Sequence, residues 1–433
     1  GICVENTRQT SPATDSLSSI ILTLVSVVDG AMTWILNVTT IVLAYVFLCA
    51  ILRHRHRLAM EKRFNFPNRA SLARMTVEDA YVIQTWLAEQ EFPHVFSAAI
   101  FFALFKSYGI PSISRLLVST GQFVKNDGLK TTSKRAADTS VLICNMVLGK
   151  PSSARATAAI ARTNYLHSLH RRTGKISDDD MLYTLSLFVL EGIRWTEKYE
   201  WRHLTDMELC ALATFWKALG EDLEVSYNQL PSNGSWIDGL SWLEELKTWS
   251  IQYEVDKMIP SNENAVLASA TMDMLLYKLP DTLKPIARNF ATIPLGTRLR
   301  KAMKIPEPPP RYEFTFSCIV ALRKFIIRYL CLPRPYLLRH KRICEVPDSV
   351  TGRYHVPRWR VHPWYAKPSI TDRLRVWFGF SRGENENFMP QGYLISEVGP
   401  TRQTGKGTSE MKDIIESLRK KDPRRCPFTD FSS

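Results

Sequence analysis

The stretch MTWILNVTTIVLAYVFLCAIL, Met32 to Leu52, runs for 21 residues without a charge and is followed at once by RHRHR, Arg53 to Arg57. A helix needs about 20 apolar residues to cross the hydrocarbon core of a bilayer, so this stretch is long enough to be a transmembrane anchor. Arginine and lysine accumulate on the cytoplasmic flank of a span. The basic stop therefore predicts that the chain beyond it faces the cytosol. A cleaved signal peptide is shorter and starts with a basic region, which is missing here. A buried core helix would not run straight into RHRHR. Asn37 and Asn233 both match N-x-S/T. One would lie inside the span and the other on the cytosolic side, so neither is expected to be glycosylated.

The net charge of +14 is concentrated. Between Arg298 and Arg382 there are 19 Lys/Arg against 5 Asp/Glu, and the remaining residues hold 37 of each sign. Nucleic acid and an anionic membrane surface both suit such a patch. Within it lies FSCIVALRKFIIRYLCL, Phe316 to Leu332, where Arg323, Lys324 and Arg328 share one helical side and apolar residues cover the rest. The pattern fits a helix lying at a membrane interface with its arginines reaching headgroups. It equally fits a core helix with one wet stripe. With an anchor upstream, the membrane surface is favoured and nucleic acid is not expected. The 8 cysteines show no paired or zinc-type spacing, which predicts reduced thiols. No HExxH, Walker, GxGxxG or GxSxG motif is present, so the commonest enzyme classes are not signalled.

After the basic neck the chain reads as helices. Thr76 to Phe92 opens on a threonine with acids in the first turn. Ser177 to Tyr199 opens on SDDD, and Thr205 to Leu223 on a capping box of Thr205 and Glu208. Val95 to Phe105 is apolar but too short to be a second span. Further helices are expected at Ser112 to Phe123, Ser133 to Leu148 and Ser152 to Arg172, and two more follow before Pro280. Strand alternation is scarce. The expected architecture is all-α: a lumenal segment over residues 1–31, an anchor over 32–52, a helical domain over 53–305, and a basic extension over 306–433. That extension opens with the proline run PEPPPRYEF, holds the interfacial helix 316–332, and reads as a loose tail from Lys367 onward.

The chemistry centres on ARTNYLHSLHRR, residues 161–172. The helix that carries it is rich in alanine (Ala154, Ala156, Ala158, Ala159, Ala161), which lets a bulky group approach the backbone. Ile160, Asn164, His167 and Arg171 fall on one face. One histidine without further protein ligands is too few for zinc, whereas a haem iron needs only one because the porphyrin supplies four nitrogens. An ordinary structural histidine is the other reading. Upstream, Arg135 and Thr139 share a face at i and i+4 with Asp138 beside them, and a solvated helix face explains these equally well.

Several stretches together carry a resemblance: EFPHVFSAAIFFALFKSYGIPSISRLLVSTGQF, KRAADTSVLI, ARTNYLHSLHRR, the run from DDDMLYTLSLF to FWKALGE, and WLEELKTWS. They resemble the fungal mpaB oxygenase family, the ER-bound oxygenases of mycophenolic-acid-type meroterpenoid biosynthesis. More distantly they resemble the latex-clearing rubber oxygenases. The resemblance implies an α-helical haem-binding domain of the rubber-oxygenase type in the endoplasmic reticulum membrane, single-pass, with b-type haem as cofactor and O2 as co-substrate. It implies oxidative cleavage of a C=C bond in the prenyl tail of a prenylated aromatic polyketide. His167 and Arg171 match the family's His-x-x-x-Arg, which makes His167 the iron ligand. Arg135 and Thr139 match its Arg-x-x-x-Thr, the pair that stabilises charge on the reacting oxygen. Asp138 stands where some relatives place a lysine. Arg162, Arg298 and Arg300 are candidates for the cofactor's carboxylates, and His170 has no motif behind it. A haem hydroxylase or epoxidase, or a non-catalytic membrane-tethered binding protein for prenylated intermediates, would also fit.

Overall fold

The computed structural model describes residues 12–123, 128–357, 359, 361–367, 377, 388–422 and 424–428. Helix α1 (Pro12–Phe64) is continuous over 53 residues. Its part from Leu22 is long and apolar enough to cross a membrane. Leu24, Ile35, Ile41 and Phe47 are each more than half exposed, so this helix leaves most of its apolar length open, which water would penalise. A core helix does not look like this.

The chain divides into two compact units. One comprises residues up to Leu58 together with Phe325–Pro333, and the other Ala59–Lys324 with Arg334 onward. In the first unit, Tyr45 Oη donates to the Leu330 carbonyl at 3.0 Å and Arg53 Nη1 to the Leu332 carbonyl at 3.3 Å. The second unit is all-α, as expected. Among its described residues the one β-type pairing is an isolated bridge between Tyr354 and Tyr393.

In the second unit the short α2 (Arg69–Leu72) precedes α3 (Val77–Trp86), which runs into a π-helical turn, Leu87–Glu91. Helices α4 (Pro93–Ser107), α5 (Pro111–Ser119), α6 (Gly128–Leu148), α7 (Ala154–Arg171), α8 (Asp178–Tyr199) and α9 (Asp206–Asp222) follow. Then come α10 (Gly239–Lys257), α11 (Asn262–Leu276), α12 (Lys284–Thr292), α13 (Gly296–Ala302), α14 (Pro310–Tyr329, whose residues from Phe325 count with the first unit) and α15 (Thr408–Arg419). The sequence signals act where expected. Thr76, Ser177 and Thr205 each cap a helix through the side-chain oxygen, and Thr205 with Glu208 closes a reciprocal capping box.

Helix α4 packs along α8 and α3 along α9, while α6 lies beside α7. The α4–α8 seam buries Phe102, Phe105, Tyr183 and Leu187. Full burial of such a side chain stabilises by about 1.5–3 kcal/mol, enough to make this pair the frame of the unit.

Two expectations need correction. Helix α14 spans Pro310–Tyr329 rather than 316–332, because Pro310 can occupy a first turn that needs no N–H from it. The extension beyond it is not loose throughout. Residues 388–422 and 424–428 pack onto the helical unit, with α15 lying on α7 through Tyr165 and Met411. Gly407, at φ +80°, marks the closest approach: a Cβ there would run into the Tyr165 ring.

Candidate functional site

Helix α7 begins where Ser153 accepts from the Ala156 N–H, and its alanines carry it without side-chain strain. Thirteen of its eighteen residues precede His167, which sits in its last turns, half-buried. The ring atom Nδ1 is fully buried and without a hydrogen-bond partner. Burial pushes the His167 pKa down from 6.5 to about 4, and the positive charges of Arg135, His170 and Arg171 push the same way. The imidazole is therefore neutral at pH 7, with a lone pair free of competition from protons. A buried polar atom left unmet costs about 1–3 kcal/mol, so Nδ1 is an anomaly that packing does not explain.

Arg135 comes from α6. Its Nη1 donates to Gln122 Oε1, and the guanidinium lies 5.5 Å from the Phe123 ring centre. Burial works against its charge, while the nearby Tyr108 and Asp138 favour it. Arg135 is the largest charge influence on the His167 ring, so these two residues lie within electrostatic reach of each other. Thr139 follows one turn after Arg135 and is half-buried. Sequence reasoning missed Tyr108, Gln122 and Phe123, which surround the Arg135 side chain. Their only signal was their place in the stretch that carries the family resemblance.

Four other candidate residues are committed elsewhere. Asp138 was expected beside Thr139 at the oxygen. Instead its carboxylate accepts from Lys134 Nζ at 2.7 and 3.0 Å and from Tyr365 Oη at 2.6 Å. Burial raises its pKa and Lys134 opposes that rise. Asp138 is three residues after Arg135 and stays within its electrostatic reach, but Lys134 and Tyr365 take up its carboxylate. Arg162 was expected at a cofactor carboxylate. It is fully buried and donates to the carbonyls of Val398, Gln403 and Lys406 at 2.9, 2.7 and 2.9 Å. Those bonds use every edge of the guanidinium. Arg171 pairs at the surface with Glu224 and Asp178, each at 3.3 Å. Arg300 pairs with Glu307 at 2.7 Å, and His170 is half-buried near Lys175 and Arg402.

Fold and site thus define an α-helical protein with a membrane-length apolar helix and a neutral, incompletely bonded histidine under the field of a half-buried arginine. Residues 102–325 match the family described as ER-bound oxygenase mpaB/B'/rubber oxygenase, catalytic domain. The ER-bound oxygenase mpaB' of Penicillium brevicompactum is 41% identical over 404 residues, 91% of this chain and 95% of the relative. The ER-bound oxygenase mpaB of the same fungus is 38% identical over 390 residues, 89% of this chain and 91% of the relative. The mpaB of Penicillium roqueforti (strain FM164) is 45% identical over 271 residues, 62% of this chain and 90% of the relative. The chain belongs to the mpaB/rubber oxygenase family, and an oxygenase role, hence an oxidoreductase, is what that membership implies.

Proposed function

We propose that this chain is a membrane-bound, haem-dependent oxygenase of the endoplasmic reticulum that cleaves a C=C bond in the prenyl side chain of a meroterpenoid intermediate. The observation that carries the reading is His167: half-buried, neutral at pH 7, and with its buried Nδ1 unpartnered. Among the described residues no three His, Cys, Asp or Glu side chains gather as a metal cage. The donor set therefore suits a metal that brings its own nitrogens and asks one imidazole of the protein. Haem, when bound, supplies the O2 chemistry.

The chain's own residues supply position and polarity. His167 would hold the iron, its ring protonating only near pH 4. Arg135 would stabilise negative charge on the reacting oxygen, its guanidinium aimed by Gln122 and Phe123. The Thr139 hydroxyl would add a second donor from the same face. Tyr108 and Phe123, whose rings meet at 6.0 Å, would keep water from the Arg135 side of the site. Helix α14 buries none of its side chains and exposes Phe314, Ile319 and Leu322. It is suited to lie at the bilayer interface and admit a prenylated aromatic polyketide from it. Topology follows from RHRHR: a single pass, with the helical unit cytosolic.

The test is the visible spectrum of purified protein, wild type and His167→Ala, before and after dithionite. A Soret band that shifts on reduction in the wild type and is lost in the variant is the expected result. A well-folded wild type that shows no Soret band after haem reconstitution would sink the proposal.

A further inference from the structure

Helices α4, α8 and α10 and the turn into α13 enclose a cavity of about 310 Å³, the size of a small-ligand site. Its charged lining is Lys106, Arg194, Lys198 and Arg298 against Glu191 and Glu254, so two positive charges are in excess. Four of the six neutralise one another deep in the wall. Lys106 Nζ lies 2.9 Å from Glu191 Oε1 and 2.6 Å from Glu254 Oε1, and Arg194 Nη1 lies 2.7 Å from Glu191 Oε1. A structural ion network of this kind normally sits in close packing, because removing charges from water is costly without a full set of partners. Here it opens onto a ligand-sized space.

The excess belongs to Arg298 and Lys198. Arg298 is 46% exposed and reaches Glu254 Oε2 only at 3.8 Å, beyond hydrogen-bond distance. Lys198 is exposed, with its ammonium 5.4 Å from the Tyr199 ring centre. Opposite these charges the walls are apolar: Phe102, Trp195, Met258 and Leu299. An occupant that suits both parts is apolar along one side and anionic at one end. Arginine's planar fork matches a carboxylate, and Glu191 and Glu254 would repel a more highly charged group.

We infer that this cavity binds an amphipathic organic carboxylate, its apolar body against Trp195 and Met258 and its carboxylate between Arg298 and Lys198. The site stands on its own geometry and does not depend on the oxygen chemistry proposed above, so its failure would leave that proposal intact. The test is calorimetric titration of the full chain in nanodiscs, with empty nanodiscs subtracted, using 4-phenylbutyrate and its neutral partner 4-phenylbutanol. The acid should bind about tenfold more tightly than the alcohol, the size of one charge-assisted contact. The exposed-site double variant Lys198→Gln/Arg298→Gln should abolish that preference while its circular dichroism stays unchanged. A parallel titration with decanoate separates the sources. Tighter binding of decanoate assigns the site to a membrane-derived fatty acid, and tighter binding of phenylbutyrate assigns it to an aromatic acid. Equal affinity for acid and alcohol, or a preference that survives in the double variant, would overturn the inference.

Discussion

Helix α7 carries Arg162 and His167 only five positions apart and treats them in opposite ways. Arg162 has no exposed surface, and three backbone carbonyls surround it. His167 is only half-buried, yet its Nδ1 is sealed off with no partner. Helix α6 repeats the contrast around its own axis. Lys134 and Asp138 close on each other and on Tyr365, while Arg135 next door has Gln122 for a hydrogen bond and a charge that reaches His167. On these two helices Arg162 and Asp138 are bonded to the C-terminal stretch and hold it in place. Among the described residues, His167, with its unpartnered Nδ1, and Arg135 make no such contact, and both belong to the oxygenase motifs. Residues that neighbour one another in sequence therefore divide between scaffold and candidate site by what they bond to.

The sharpest way to break this comparison is Arg162→Met, which leaves three buried carbonyls without donors. It should cost about 4 kcal/mol in urea denaturation followed by circular dichroism; a cost below about 1 kcal/mol would show that the guanidinium is no clamp.

Next in size is the pH dependence of the haem-free protein. Unfolded His167 takes a proton near pH 6.5 and the folded ring only near pH 4. Its contribution is therefore fully present above pH 6.5 and lost as pH falls toward 4, by up to about 3 kcal/mol. His167→Gln should remove that part of the acid sensitivity, so the wild type should lose more stability than the variant between pH 7 and 4.5.

Asp138→Asn keeps the shape but removes the charge that Lys134 pairs with, for an expected loss of about 1–2 kcal/mol. Its Soret band and turnover should match the wild type, since the carboxylate faces Tyr365. A tenfold fall in turnover at unchanged stability would return Asp138 to the site. The smallest effect belongs to Arg171→Ala, whose surface ion pairs should contribute about 0.5 kcal/mol. Loss of the Soret band in that variant would show a cofactor role that its pairing with Glu224 does not suggest.

Much of the fold was legible because helix caps and apolar length are local properties. Thr76, Ser177 and Thr205 announce helices that the structure places within a residue of their expected starts. The anchor follows from length alone. That Arg135 lies within electrostatic reach of His167 was legible only through a family pattern, since nothing in either helix says which face meets which. What stayed illegible was long-range. The partners of Arg162 are carbonyls more than 230 positions away, and every residue owns a carbonyl, so no side-chain pattern marks them. Tyr365 reaches Asp138 from 227 positions away for the same reason. A stretch held by its backbone shows no periodicity and reads as a loose tail.

The Arg162 clamp also has a consequence for biosynthesis. A ribosome adds roughly 5–20 residues each second, and Lys406 follows Arg162 by 244 positions. For some 12–50 s the newly made α7 exists without the carbonyls its buried guanidinium requires. The helix that carries His167 can therefore mature only after residue 406 has left the exit tunnel, long after the apolar α1 has emerged. Emergence of the apolar helix and completion of the packing around His167 are separate events in the life of this chain, in that order.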